Sequence, residues 1–187
     1  MSTSQQKQRM LAGEPYRADD PELLADYARA QTIVAELNAT RGDDLPALRR
    51  HLARLFGFLG AEAIVKPGFH CDYGYNISLG ARTFVNYDCV MLDCNTIAIG
   101  AEVQIGPGVH IYTATHPLEA VPRRSGLEAA HPVRIGDGVW LGGRTIVCPG
   151  VAIGANTVVG AGSVVIRDLP ANVLAVGNPC RVVRTLP

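Results

Sequence analysis

Aliphatic residues recur at every sixth position through the last third of the chain, and this spacing determines the expected fold. The recurring residues are Ile135, Leu141, Val147, Ile153, Val159 and Val165. A small or β-branched residue follows four positions after each of the first five, and glycine directly follows most of them. A hexapeptide period predicts an all-β solenoid, in which three short parallel strands form each coil and residues about eighteen apart are stacked.

This six-residue spacing of aliphatic residues, the aliphatic beat, begins earlier and is then interrupted. Its earlier members are Leu79, Val85, Met91, Ile99, Ile105 and Ile111. Two extra residues intrude around Asn95. From residue 117 the sixth positions are Pro117, Arg123 and Ala129, which cannot continue an aliphatic stack. We therefore predict that residues 117–131 form a loop extruded from the solenoid.

Residues 1–60 follow helical spacing instead and are expected to form a small helical segment. Asp20 and Pro21 supply an N-cap and a first helical residue, which predicts a helix to about Asn38. A second helix is predicted from Asp44. Its expected apolar face consists of Leu48, Leu52, Leu55 and Phe56. We expect these helices to cap the N-terminal end of the solenoid domain, residues 61–187.

The tail from Leu169 onward loses the period. Pro170, Gly177 and Pro179 interrupt it, and a basic run ending at Arg184 follows. We therefore expect the tail to leave the solenoid.

Charge and cysteine usage exclude several classes of partner. Lys plus Arg and Asp plus Glu both number 17, for a formal net charge of zero, so no broad field favours nucleic acid or an anionic membrane. No run has the length of a signal peptide or a membrane span, and we expect a cytoplasmic protein. Five scattered cysteines indicate reduced thiols. A neutral small-molecule partner fits this composition best.

Departures from the beat mark candidate chemistry, because core packing accounts for the rest of the pattern. His116 lies where the last regular coil gives way to the loop. The unperturbed pKa of histidine is close to neutrality, so a neutral imidazole there could remove a proton from a hydroxyl as it attacks an acyl carbon. Without further context, a surface or turn histidine would be the favoured explanation of this residue.

Several long stretches supply that context. Residues 12–16, 71–77, 86–93 and 108–117 resemble the hexapeptide-repeat sugar O-acetyltransferases. Residues 139–143 and 177–183 are similar to the cofactor half of the family pattern. The resemblance is strongest to the maltose branch, with the galactoside and nodulation acetyltransferases related. It implies a homotrimer that uses acetyl-CoA and no metal, and a left-handed parallel β-helix, although spacing alone does not override the right-handed rule for crossovers.

The resemblance also implies roles for individual residues. His116 would be the general base for direct attack in a ternary complex. The implied sugar contacts are Asn86, Asp72 and Asp93. The implied acetyl-CoA contacts are the backbones of Gly143 and Ala161 at the thioester, Ile166 where some relatives have a hydroxyl, Arg167, Arg181 and Arg184 at the nucleotide end, and Trp140 along the groove.

Structural explanations remain open beside these roles. Asn86 could form a turn, and Asp72 or Asp93 could satisfy a backbone amide. The three arginines could be a solvated edge, and Trp140 could serve packing alone.

The acceptor is inferred from departures within the family. Where the galactoside branch has a serine and two acidic residues in its substrate site, this chain has Asp72, Cys94 and Ala18. These differences favour a glucose or maltose-like acceptor, with a galactoside, a lipo-oligosaccharide or a hydroxylated antibiotic as alternatives.

Two rival functions and one rival mechanism fit the sequence less well. A zinc enzyme like the carbonic anhydrases of this fold would need convergent ligands, and the five histidines show no compact set: His51, His70, His110, His116 and His131. A non-catalytic solenoid would not need the His116, Asn86 and arginine pattern. An acyl-cysteine intermediate would require a base beside one of Cys71, Cys89, Cys94 and Cys148, and none is evident.

Overall fold

The computed structural model describes residues 4–187, and its main body is a three-sided parallel β-solenoid. Each coil passes in turn through three sheets, named I, II and III in chain order. All twelve members of the aliphatic beat are at most 4% exposed, and they line the interior of the solenoid. The predicted fold class is confirmed, because the six-residue period is the period of inward-facing positions.

The three sheets are built from strands of two to four residues, apart from the longer final strand. Sheet I contains β2 (Phe58–Leu59), β5 (Ile77–Leu79), β8 (Ile97–Ile99), β13 (Val133–Ile135) and β16 (Ala152–Ile153). Sheet II contains β3 (Ile64–Val65), β6 (Phe84–Val85), β9 (Gln104–Ile105), β14 (Trp140–Leu141), β17 (Val158–Val159), β19 (Val173–Val176) and β20 (Arg181–Thr185). Sheet III contains β4 (His70–Cys71), β7 (Val90–Leu92), β10 (His110–Tyr112), β15 (Ile146–Val147) and β18 (Val164–Val165).

The stacking interval varies along the solenoid. Ile135 pairs with Ile153, eighteen positions later, as the hexapeptide period predicts. In the first coils the interval is twenty, as between Leu59 and Leu79, and across the loop it is thirty-six, from Ile99 to Ile135. The extra residues all enter after sheet III, at residues 72–76, 93–95 and the loop itself. The first of these insertions was not predicted.

Three helices precede the solenoid: α1 (Gln5–Ala12), α2 (Pro21–Ala39) and α3 (Leu45–Leu55). Helices α2 and α3 pack on the first coil of the solenoid, whereas α1 packs on residues 16–17 and 127–130. Asp20 caps α2 by accepting from two backbone amides, and Asp44 caps α3 by accepting from the amide of Ala47. The apolar faces of α2 and α3 join the solenoid core, and so does Phe56, which lies one residue beyond α3. Helix α1 was not predicted. None of the helices within residues 4–187 is long and apolar enough to cross a bilayer.

The interruption after sheet III forms an ordered flap, defined here as residues 114–131. It contains β11 (Ala114–Thr115), α4 (Ala120–Arg124) and β12 (Leu127–Ala130). Strand β12 pairs antiparallel with β11 on one side and with β1 (Tyr16–Arg17) on the other. The predicted loop therefore does leave the solenoid, and it is tied to the N-terminal segment by a small separate sheet.

The expectation that the tail leaves the solenoid is wrong. Strand β19 pairs in parallel with β17 and adds one more rung to sheet II, and β20 then folds back antiparallel onto β19. The residues that break the period occupy turns: Pro170 precedes β19, and Gly177 and Pro179 lie between the two strands. They end strands without ending the fold.

Candidate functional site

The residues with implied roles lie mainly at two corners of the solenoid, on either side of sheet III. The corner between sheets II and III, the II–III corner, consists of the stacked turns 86–88, 106–108, 142–144 and 160–162. Each later turn donates a backbone hydrogen bond of 2.9 Å to the turn before it. Asn86, Gly143 and Ala161 therefore belong to one rigid column.

Two backbone amides of this column are available to a ligand. Within residues 4–187, the N–H groups of Gly143 and Ala161 donate to no protein acceptor. Asn86 is half-buried, and its Oδ1 accepts from the amide of Tyr87 at 2.8 Å, which is the turn-forming role considered above. Its Nδ2 makes no hydrogen bond with the described chain. The corner thus presents three N–H donors in a column.

The opposite corner, between sheets III and I, carries Asp72, Asp93, Ile166 and Arg167. The flap leaves the solenoid here, and Thr113 anchors its start: the Thr113 hydroxyl accepts from the amide of Asn95 at 2.9 Å. This III–I corner is separated from the II–III corner by the width of sheet III, about 10 Å for a three-residue strand. One chain therefore does not gather all the implied residues at a single point.

His116 follows β11 directly and is solvent-exposed. Thr115 pairs with Ala129, so the ladder ends with His116 beside the strand that carries Glu128. Within the described chain, the imidazole has no hydrogen-bond or ion-pair partner. Both ring nitrogens are therefore available to an acceptor substrate, as a general base requires.

A polar network lies beneath the flap. The hydroxyl of Tyr16, which is fully buried, donates to Glu128 Oε2 at 3.0 Å. The Cys94 thiol donates to Asp72 Oδ2 at 3.4 Å. Burial raises the pKa of Asp72, the charge of Glu128 raises it further, and the Cys94 hydrogen bond opposes both. Two carboxylates, those of Asp72 and Glu128, therefore lie close to each other beneath the flap that carries His116.

Sequence reasoning missed two members of this network. Tyr16 lies in the stretch 12–16 that resembles the family, which was a usable signal. Glu128 lies in the flap, where no period distinguishes one residue from another.

Asp93 has a structural role, as an acceptor for backbone amides. Its side chain is fully buried. Oδ1 accepts from the amides of Asp72 at 3.0 Å and Tyr73 at 2.8 Å, and Oδ2 accepts from the amide of Asn76 at 3.3 Å. Burial raises its pKa to about 6, while the backbone hydrogen bonds favour the charged form. Asp93 therefore does not reach the surface that would contact a sugar.

The remaining implied cofactor residues are exposed. Trp140 is 55% exposed on the outer face of sheet II, and Ile166 is 48% exposed. The three arginines have no acidic partner within residues 4–187: Arg167 is exposed at the III–I corner, and Arg181 and Arg184 lie on β20. Uncompensated guanidinium groups of this kind suit phosphate.

The cysteines and the histidines give the rival chemistries little support. All five thiols are free, and burial raises the pKa of each, that of Cys89 to about 11. A thiolate nucleophile is therefore disfavoured at neutral pH. Residues 4–187 contain no group of three histidine, cysteine, aspartate or glutamate side chains that could hold a metal ion.

Comparison with known proteins gives a consistent result. Residues 9–60 match the maltose acetyltransferase hexapeptide capping motif, and residues 132–167 match the bacterial transferase hexapeptide of six repeats. The chain is 48% identical over 180 residues to nodulation protein L of Rhizobium meliloti strain 1021, covering 96% of this chain and 98% of that protein.

Two solved structures are also similar over their full length. A maltose O-acetyltransferase from Clostridium difficile 630 superposes with a TM-score of 0.97 at 44% identity, with 100% of both chains covered. A hexapeptide-repeat acetyltransferase from Vibrio cholerae O1 biovar eltor, complexed with acetyl-coenzyme A, superposes with a TM-score of 0.92 at 38% identity, again with 100% of both chains covered.

Proposed function

The chain belongs to the hexapeptide-repeat family of acetyltransferases, and from that premise we propose that it transfers the acetyl group of acetyl-CoA to a sugar hydroxyl. The observation that carries the proposal is the division of the site between two corners. The III–I corner offers the free base His116, and the II–III corner offers the free amides of Gly143 and Ala161.

A homotrimer would join these two corners. Cyclic three-fold symmetry with sheet III facing the axis brings the III–I corner of each copy against the II–III corner of the next. The outward positions of sheet III fit this orientation, because most are aliphatic: Val90, Leu92, Ile146 and Val164, beside His70, His110 and Tyr112. The outward positions of sheet I are mostly small or charged, namely Ser78, Ala98, Arg134 and Ala152, and only the first strand has a large apolar residue there, Phe58.

The chemistry then follows from the proposed cleft. Neutral His116 removes the proton of the acceptor hydroxyl, and the oxygen bonds to the acetyl carbonyl carbon. The amide of Gly143 or Ala161 donates to the oxyanion that develops on the carbonyl oxygen. The carbon–sulfur bond breaks, and the thiolate of coenzyme A takes the proton held by His116. No covalent acetyl-enzyme is needed.

The two substrates would occupy different parts of the cleft. Asn86 Nδ2 can donate to a sugar hydroxyl, and the Asp72 carboxylate can accept from one. Trp140 lies along the path of the pantetheine arm, and Arg167, Arg181 and Arg184 would meet its phosphates. With Asp72, Cys94 and Ala18 in place, we favour a glucose or maltose-like acceptor over a galactoside.

Complementation between inactive variants tests this arrangement. His116→Ala should lower acetyl transfer by about 10²–10⁴-fold, the usual contribution of a general base, and should leave acetyl-CoA binding intact. Asn86→Ala should also lower transfer. If the two residues act from different copies, mixing the unfolded variants and refolding them together should restore about a quarter of wild-type activity, because one interface in four then pairs two intact corners.

The readout is release of the coenzyme A thiol with glucose, maltose, galactosides and amino sugars as acceptors. His51→Ala on α3 is the matched histidine control and should transfer normally. Near-normal turnover by His116→Ala would refute the base, and no recovery in the mixture would refute a site shared between copies.

A further inference from the structure

The backbone of the turn at residues 72–76 is hydrogen-bonded to one buried side chain, that of Asp93. It is one of the two-residue insertions at the III–I corner: Cys71 and Leu79, the buried residues on either side, are eight positions apart instead of six. The Asp93 carboxylate accepts from three amides of this turn, at 2.8 to 3.3 Å. In return, Asn76 Nδ2 donates to the Asp93 carbonyl oxygen at 2.7 Å. The path of the turn therefore depends on Asp93.

Both the main chain and the side chain of Asp72 are hydrogen-bonded to consecutive residues of the next coil, Asp93 and Cys94. Its amide donates to Asp93, and its carboxylate accepts from the thiol of Cys94 at 3.4 Å. Asp93 and Cys94 are buried, whereas Asp72 is only half-buried and borders the space beneath the flap. Of the three residues, only Asp72 can therefore contact a substrate.

We propose that Asp93 is a positioning residue that fixes Asp72 for acceptor binding. The inference rests on the proposed acetyltransferase function and deepens it. Because both Asp93 oxygens are occupied by backbone donors, its influence on the sugar must pass through the 72–76 turn. Loss of Asp93 should weaken acceptor binding, and it should leave acetyl-CoA binding at the II–III corner unchanged.

Asp93→Asn is the direct test, since it keeps the size of the side chain and turns one acceptor into a donor. We expect the KM for the acceptor to rise about tenfold, the effect of leaving a buried amide unsatisfied. We expect kcat and the Kd of acetyl-CoA to change by less than about twofold. In an Asp72→Ala background, Asp93→Asn should add little to KM. Additive effects, or a loss of acetyl-CoA affinity, would overturn the proposal.

The neighbouring cysteine gives a second test that leaves the turn's backbone bonds intact. Cys94→Ser keeps a donor to the Asp72 carboxylate, and Cys94→Ala removes it. We expect Cys94→Ala to raise the acceptor KM and Cys94→Ser to stay close to wild type. Equal KM values in the two variants would count against control of the acceptor through Asp72.

Hydrogen exchange separates this inference from the proposed function. In the wild type, the amides of Asp72, Tyr73 and Asn76 should be protected, and in Asp93→Asn they should exchange faster while sheet II is unchanged. Unchanged protection of residues 72–76 would overturn the positioning role. Absence of acetyl transfer by the wild type to any acceptor would instead overturn the proposed function.

Discussion

Asn95→Ala should detach the flap and the N-terminal segment from the solenoid together. Asn95 is 3% exposed, and its Nδ2 lies 3.1 Å from the carbonyl oxygen of Met10, 3.2 Å from that of Leu11 and 3.1 Å from that of Ala130. Met10 and Leu11 belong to α1, and Ala130 ends β12. One amide group therefore joins three parts of the chain beside the candidate site.

The size of the effect can be worked from these contacts. The Asn95 side-chain amide has only two hydrogens for three carbonyl oxygens, so one hydrogen is shared between two acceptors, and we count the three contacts as two hydrogen bonds. On the other side of the group, Asn95 Oδ1 accepts from the amide of Thr96 at 2.7 Å. Removing about three buried hydrogen bonds at ~1 kcal/mol each, and leaving the carbonyls of Leu11 and Ala130 short of a donor, should cost about 2–4 kcal/mol of unfolding free energy.

Asn38→Ala is the matched comparison. Asn38 makes three similar bonds, accepting from the amides of Gly68 and Phe69 and donating to the Phe69 carbonyl at 2.9 to 3.1 Å. These bonds tie α2 to the first coil, away from the flap. Urea unfolding at fixed protein concentration should therefore show comparable losses for the two variants, whereas only Asn95→Ala should lower acetyl transfer.

Limited proteolysis gives an independent readout of the same change. Cleavage within residues 117–126 should be faster in Asn95→Ala than in Asn38→Ala, because the flap would lose its tie to α1. Loss of activity in both variants to the same degree would refute the claim that Asn95 acts through the flap. An unfolding free energy equal to wild type would refute the hydrogen-bond account.

Two further predictions concern stability. A Cβ at Gly80 would lie 2.3 Å from the Gly100 carbonyl carbon. A Cβ at Gly162 would have nothing within 4 Å, and only the φ of +71° would cost about 1–2 kcal/mol there. Gly80→Ala should therefore lower the urea midpoint far more than Gly162→Ala, and equal losses would contradict this. Because burial raises the pKa of Asp93 to about 6 and raises that of Asp72, the native state binds more protons than the unfolded state between about pH 4 and 6. Through these groups, unfolding free energy should fall as pH rises across that window, and Asp93→Asn should flatten the slope.

The interior of the solenoid could be predicted because the residues at the six-residue spacing are the same residues that are buried. Every beat residue named from the sequence faces the core, and the caps Asp20 and Asp44 begin their helices as expected. The corner residues were harder, because their neighbours lie one coil away. Asn86, Gly143 and Ala161 are known to share a column only once the stacking is known, because intervals of twenty, thirty-six and eighteen residues separate the coils that carry them.

The insertion at residues 72–76 could not be recognised from the spacing. Cys71 and Ile77 are six positions apart and both are buried, so the six-residue spacing is matched across this turn by coincidence. Leu79 is nevertheless the residue that stacks on Leu59 and Ile99. The prediction for the tail was wrong for the opposite reason, because the last coil is shorter than the period and not longer. Its last coil is two residues short, with Val159 paired to Ala175, so a real rung falls outside the strict period.

The irregular intervals all fall at one corner, which has a consequence for specificity. Successive buried positions are six residues apart at every I–II and II–III corner, but eight, eight, twenty-four, six and four apart at the III–I corner. Insertions there leave the ladders on both sides in register, so the turn and the flap can change without moving the solenoid. The regular II–III corner contributes backbone amides, whose positions depend on the fold and little on side chains. Exchange of residues 72–76 and 114–131 should therefore change the acceptor while retaining acetyl-CoA as donor.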